Sequence, residues 1–229
     1  MDNLIQKYEI TKQEAILCKF IRIVRGTNNC PKFIYKLSKK RYGWRDNLAR
    51  YFIEKYSGVE IGRYTYGYNN IGTLFVKKIG SFSSIAPGSI TVPNGHRIDW
   101  ITSSSILFLK EYGFCDKDYL YDYCPNLEHS IEIGNDVWIG AKCIIFNNVK
   151  IGDGAVIAAG SIIRKDVPPY AVVAGVDKII KYRFTDDIIE KLLEIQWWNW
   201  EDNKIKENIN YFYNINEFVE QFISQKKHK

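Results

Sequence analysis

A parallel β-helix of three-sided coils, interrupted by one long loop and extended at both ends by helices, is what the spacing of isoleucine predicts. Ile133, Ile139, Ile145, Ile151, Ile157 and Ile163 stand six residues apart, and glycine follows three of them, at Gly134, Gly140 and Gly152. Four residues after each isoleucine comes a small or branched residue: Val137, Cys143, Val149, Ala155, Ser161 and Val167. The pattern also opens earlier, at Ile61-Gly62, Ile79-Gly80 and Ile85, then stops near Val92. A helix repeats every 3.6 residues and a strand every 2, so neither gives a period of six. A hexapeptide that builds one face of a triangular prism and its corner does. The isoleucines then point inward and stack, and the glycines supply corner conformations that a Cβ resists.

The elements follow in order. Residues 1–56 read as helical. Thr11 with Glu14 three residues later forms a capping box, and Trp44, Leu48, Phe52 and Tyr56 share one helical face. Residues 57–175 hold the β-helix, with an excursion over 93–130. A connection that long is functional or disordered more often than it is a corner, so the chemistry is sought there. Residues 176–229 return to helix. Thr185 caps a segment with Ile188, Ile189, Leu192 and Leu193 on one side, Trp197-Trp198-Asn199-Trp200 breaks it, and Ile205, Ile209 and Phe212 suggest another. Residues 224–229 read as a frayed tail. Since a solenoid has open ends, the terminal helices are expected to cover them.

Composition narrows the function. Apolar residues make up 46% and charged residues 25% of 229, enough for a sizeable core. Residues 1–12 lack a signal-type apolar stretch, and no run approaches the ~20 apolar residues of a membrane span. Five cysteines (Cys18, Cys30, Cys115, Cys124, Cys143) form no CxxC pair. They read as reduced thiols in a cytoplasmic protein. No GxxxxGK[ST] or GxGxxG loop suggests nucleotide hydrolysis or a dinucleotide fold. With only His96, His129 and His228, the chain cannot converge three histidines on a zinc, so no metal is expected. His129, just before the second block of coils, reads as structural, and His228 lies in the tail. The basic cluster at 36–45 reads as a solvated face rather than a nucleic-acid site; its second reading is a peripheral contact with the inner membrane.

Three stretches, GHRIDW, the run from Asn135 to Gly175 and IIEKLLEIQWWNW, resemble the xenobiotic acetyltransferases of the hexapeptide-repeat acyltransferases. That group includes type B chloramphenicol, streptogramin and polysaccharide acetyltransferases. The resemblance implies a left-handed coil, against the usual right-handed crossover, a homotrimer, and an active site in the groove between neighbouring copies. Two departures bear on the acceptor. GVDKII stands where the family commonly has GNPAK, and residues 68–78 are shorter than the corresponding insertion of the antibiotic-modifying members.

Acetyl transfer from a thioester to a hydroxyl needs a base, an oxyanion donor and two substrates held face to face. His96, after Gly95 in the excursion and matching the family's histidine, is the expected base: a pKa near 6.5 leaves it largely neutral at cytosolic pH. Asp99 or Glu128 would orient the ring, and a backbone carbonyl would serve equally; Asp99 also fits a loop ion pair with Arg97. The oxyanion donor is expected to be a backbone N–H. Acetyl-CoA is the donor the resemblance implies, and Ala141, Ala158, Ala159 and Gly160, which also read simply as corner residues of the fold, offer a narrow bed for its pantetheine. By resemblance Ala141 and Ala159 touch the coenzyme, and so do Arg164, Lys165, Lys178 and Lys181, whose cations suit its phosphates. Trp138 either flanks the pantetheine or packs beneath the loop. No cysteine lies in the catalytic motif, so direct attack in a ternary complex is expected. The expected acceptor is a sugar hydroxyl, free or lipid-linked, destined for a surface polysaccharide. The alternatives are an antibiotic (streptogramin or chloramphenicol) and an amino-sugar nitrogen.

Overall fold

The computed structural model describes residues 3–26, 30–71, 75–92, 99–119 and 130–226. Within them short strands wind into three sheets, one for each side of a prism. Face one orders β1 (Glu60–Ile61), β2 (Val76–Ile79), β5 (Ile131–Ile133) and β8 (Lys150–Ile151). Face two orders β3 (Ser84–Ile85), β6 (Trp138–Ile139), β9 (Val156–Ile157), β11 (Ala171–Ala174) and β12 (Lys178–Tyr182). Face three holds β4 (Ile90–Val92), β7 (Ile144–Phe146) and β10 (Ile162–Ile163). Every pair is parallel except β11 with β12. Ile133 lies beside Ile151, Ile139 beside Ile157 and Ile145 beside Ile163. Three hexapeptides therefore complete one coil, as the period predicts.

The inward isoleucines form one buried cluster with Val137, Cys143, Val149, Ala155 and Val167. Burying each such side chain contributes about 1.5–3 kcal/mol. Backbone rungs tie coil to coil: the Gly80 N–H donates to the Ile133 carbonyl at 2.8 Å, and Gly134 to Ile151 at 2.8 Å.

The glycines after isoleucine act differently from the expectation. Left-handed backbone falls elsewhere, on Tyr64, Phe82, Asp136 and Tyr170 between faces one and two, on Lys142 between two and three, and on Asn148 between three and one. What the glycines give is room. A Cβ on Gly140 would sit 2.5 Å from the Ala159 nitrogen and 2.8 Å from its Cα. Close stacking of adjacent coils, not freedom of φ, excludes a side chain there.

Helices α1 (Asn3–Lys7), α2 (Lys12–Arg25), α3 (Lys32–Tyr42) and α4 (Asn47–Ser57) precede the coils. The capping box forms at α2, with the Thr11 N–H donating to Glu14 Oε2 at 2.8 Å and the Glu14 N–H to Thr11 Oγ1 at 3.2 Å. The helix anticipated from Trp44 begins only at Asn47, because Gly43–Arg45 makes a 3-10 turn and Asp46 is left-handed. Ile53 of α4 joins the prism core, and Arg50 Nε donates to the Ile61 carbonyl at 2.7 Å, so α4 closes the first coil.

At the other end α5 (Asp186–Ile195), α6 (Asp202–Glu207) and α7 (Ile215–Lys226) do not close the last coil. They run along the corner between faces one and two. Tyr64 stacks on Phe82, Phe82 meets Trp197 at 4.8 Å, Tyr170 meets Phe184 at 5.7 Å, and Arg183 pairs with Asp136 at 2.9 Å. Arg63 reaches Asp202 and the Trp200 carbonyl. The left-handed corner residues present the side chains these helices cover. Helix α7 extends into the tail read as frayed, held by Phe218, Val219 and Phe222. The segment through Ile205, Ile209 and Phe212 is split into α6 and a 3-10 turn at Ile209–Tyr213.

The described part of the excursion has a small core of its own, Phe108 packed by Trp100, Leu109 and Tyr119. Among the described residues Cys18, Cys30, Cys115 and Cys143 are free thiols; Cys124 lies outside them. Among the same residues no helix is long and apolar enough to cross a membrane.

Candidate active site

The corner between faces two and three is an edge of small residues. Ala86 and Gly88 stand on one coil, Ala141 on the next, Ala158, Ala159 and Gly160 on the third, and Ala174 and Gly175 on the last. The edge is braced from within. Ser89 Oγ donates to the Gly140 carbonyl at 3.0 Å and accepts the Cys143 N–H at 3.1 Å. Ser161 Oγ donates to the Ala158 carbonyl at 2.6 Å, and the Gly160 N–H donates to the Ala141 carbonyl at 2.8 Å. Cys143 is buried in that brace, its Sγ 3.2 Å from two carbonyls, which keeps it from carrying an acyl group. Outside, Ala159 and Gly160 are exposed. Along Ala159 and Gly160 an extended chain bearing amides can lie against backbone, with Lys142 the long side chain that borders it.

Face two supplies the flank. Trp138 lies on its outer side, 57% exposed, level with Ser84 and Val156. Lys178 pairs with Ala174 and Lys181 with Val172. Three residues apart on a regular strand, the two lysines would point to opposite sides. The register shift between Val172 and Val173 inserts one extra residue into β12. Both lysines thereby share the outer side of the sheet, where both are exposed.

Arg164 and Lys165 lie across face three, past β10. Arg164 Nε donates to Asp177 Oδ2 at 2.9 Å and its backbone N–H to Asp177 Oδ1 at 2.6 Å. Burial opposes the charge of Asp177, yet these hydrogen bonds and the guanidinium hold its carboxyl below the usual carboxylate range. Asp177 is one of the residues by which GVDKII departs from the family pattern, and its place is explained: it ties the last coil to Arg164. Of the residues singled out from sequence, Trp138, Ala141, Ala159, Gly160, Lys178 and Lys181 are brought to one edge. Arg164 and Lys165 are not.

His96, Arg97, Glu128 and His129 lie outside the described residues, and Asp99 is exposed where the described excursion begins. The segment with His96 follows Val92, whose carbonyl accepts the Asn147 N–H at 2.9 Å. At ~3.3 Å per residue, Val92 is at most about 13 Å from Gly88 on the small-residue edge, across face three.

Lys142 is a cation on that edge that sequence reasoning missed. It is exposed and left-handed, three residues after Ile139. Position i+3 from five of the six repeating isoleucines is the left-handed corner, and Asp136, Asn148, Gly154 and Gly160 hold it at the other four. These residue types tolerate left-handed backbone, so the corner was open to reading.

Residues 130–165 match the bacterial transferase hexapeptide (six repeats) family. The chain is 44% identical over 133 residues to a chloramphenicol acetyltransferase of Klebsiella aerogenes, covering 56% of this chain and 61% of that one. It is 40% identical over 134 residues to a probable macrolide acetyltransferase of Lysinibacillus sphaericus, covering 57% and 73%. It is 41% identical over 157 residues to virginiamycin A acetyltransferase of Staphylococcus aureus, covering 65% and 67%. The chain thus spans 61% of the length of the first of these relatives.

Proposed function

The chain belongs to the hexapeptide-repeat acetyltransferase family, and we propose that it transfers acetyl from acetyl-CoA to a hydroxyl of a carbohydrate. The observation that carries the donor is the small-residue edge with two outward lysines at one end. In this reading pantetheine lies along Ala141, Ala159 and Gly160, Trp138 walls it, and Lys178 and Lys181 meet the phosphates. His96 takes the hydroxyl proton as the oxygen attacks the thioester carbonyl. The ester C–O bond forms, the C–S bond breaks, and the proton held by His96 passes to the leaving sulfur, so that CoA departs as its thiol and the base is restored. A backbone N–H holds the oxyanion.

The coil is left-handed and the working unit a trimer in the cytoplasm. A prism corner is convex, so the second wall of a groove has to come from another copy. Exposed apolar side chains on faces two and three, Ile90, Trp138, Val176 and Ile180, support that reading. So does the distance between the edge and Val92, which a neighbouring copy would span. Replacing Lys178 and Lys181 together by Ala is expected to raise the KM for acetyl-CoA about tenfold, two exposed charged contacts together being worth up to ~2 kcal/mol, with kcat little changed. An unchanged KM places the phosphates elsewhere.

A carbohydrate acceptor is favoured by the short connection between the 3-10 turn Tyr68–Asn70 and β2, and by the helical block before the first coil. The names of the relatives favour the second reading, an antibiotic acceptor. Thiol release from acetyl-CoA, followed with oligosaccharides, chloramphenicol and streptogramins, separates the two; turnover of the drugs alone, with protection of expressing cells, overturns the first. Mild alkali releases acetate from a sugar ester and not from an amide, which distinguishes an amino-sugar acceptor.

A further inference from the structure

Helix α2 is apolar on two opposite faces. Ala15, Cys18 and Ile21 are buried against the other N-terminal helices. On the far side Ile16, Phe20, Ile23 and Val24 are 67%, 62%, 63% and 64% exposed. Their spacing, i, i+4, i+7 and i+8, makes them one stripe. Single exposed apolar residues are ordinary, whereas a continuous stripe marks a surface that something covers.

Charge identifies the cover. A groove between α2 and α4 is lined by Lys12, Lys19, Arg22 and Lys55 together with Ile16 and Ile23, and none of its described lining residues is acidic. Residues 1–57 hold thirteen Lys and Arg against five Asp and Glu, net +8, so residues 58–229 carry −2 of the chain's +6. A second copy would bring like charge to this face. Nucleic acid would satisfy the cations and leave four large apolar side chains in water. An anionic bilayer takes both, the phosphates meeting the cations and the acyl boundary the apolar stripe.

We propose that α2 docks the protein on an anionic phospholipid surface, with Ile16, Phe20, Ile23 and Val24 in the acyl boundary and Lys12 and Lys19 at headgroup phosphates. The basic cluster at 36–45 is a secondary contributor, since several of its groups are engaged within the protein. Arg41 Nε lies 3.1 Å from Glu14, Arg45 Nη1 3.1 Å from Glu9, and Lys39 Nζ 3.4 Å from the centre of the Trp44 ring. Docking through α2 is independent of the acetyl-transfer reading, and its test uses no turnover as a criterion for binding.

The test is co-sedimentation of the full chain with vesicles of phosphatidylcholine alone and of an equal mixture with phosphatidylglycerol. Binding to the mixed vesicles is expected, weakened by salt, and about tenfold or more weaker on phosphatidylcholine alone. The pairs Phe20→Asn with Ile23→Asn, and Lys12→Gln with Lys19→Gln, each lower binding by about tenfold or more. All four side chains are exposed, so Tm and oligomeric mass stay as in the parent. Equal binding to both vesicle types, or to neither, overturns the proposal. So does a change of oligomeric mass in the Phe20/Ile23 variant, which would make the stripe a protein interface, or retention of duplex DNA without vesicle binding.

Discussion

Replacing His96 by Ala is expected to lower kcat about 10²–10⁴-fold, the usual loss when a general base is removed. The affinity for acetyl-CoA and the Tm should stay as in the parent, because the edge proposed for the donor and the prism core are built from other residues. The pH profile gives a second readout. A base must be neutral, so the parent rate should fall on the acid side as the imidazole takes up a proton, and the variant should lose that limb. Asp99→Asn separates the two roles open to Asp99. An orienting partner would cost turnover and shift the acid limb, and a loop ion pair would do neither. Near-normal turnover in the His96 variant removes this residue from the mechanism.

Gly140→Ala is expected to destabilise the protein more than Gly160→Ala, for different physical reasons. At Gly140 the new methyl meets only backbone: the nitrogen and Cα of Ala159 at 2.5 and 2.8 Å and the carbonyl carbon of Ala158 at 3.0 Å. The rung from the Gly140 N–H to the Ile157 carbonyl, 2.8 Å long, has to stretch to relieve the clash. Overpacking of this kind costs up to about 3 kcal/mol, a Tm lower by roughly 6–12 °C at this chain length. A methyl on Gly160 would enter open space, with nothing lying within 4 Å, and the φ of +72° leaves only the left-handed penalty of ~1–2 kcal/mol. Calorimetry of the two variants compares them directly. Equal losses would mean that coil spacing at Gly140 is slack.

The prism is legible in the sequence because a buried isoleucine every six residues is a constraint that neither helix nor ordinary strand imposes. The excursion is legible as the place where that constraint lapses between Val92 and Ile133. The path of the C-terminal helices is not. Trp197, Trp200 and Phe212 announce burial, but Trp197 is received by Phe82, itself stacked on Tyr64 far away in the chain, while Trp200 and Phe212 pack on Phe218 of α7. At the small-residue edge the alanines can be read, since small size is itself the signal. The shared direction of Lys178 and Lys181 cannot, because an odd separation on a strand predicts opposite sides and only the extra residue in β12 reverses it. Nor can the pairing of Arg164 with Asp177, thirteen residues on, which joins adjacent coils along face three outside the six-residue spacing and leaves no periodic trace.

Placement of the donor along the small-residue edge is tested most directly by the Kd of acetyl-CoA for Ala159→Trp. The side chain at 159 is exposed, so an indole there leaves the core and the Tm intact while filling the bed read for pantetheine. A Kd raised about tenfold or more, some 1.4 kcal/mol of lost binding, is expected. An unchanged Kd in a fully folded variant would contradict the placement.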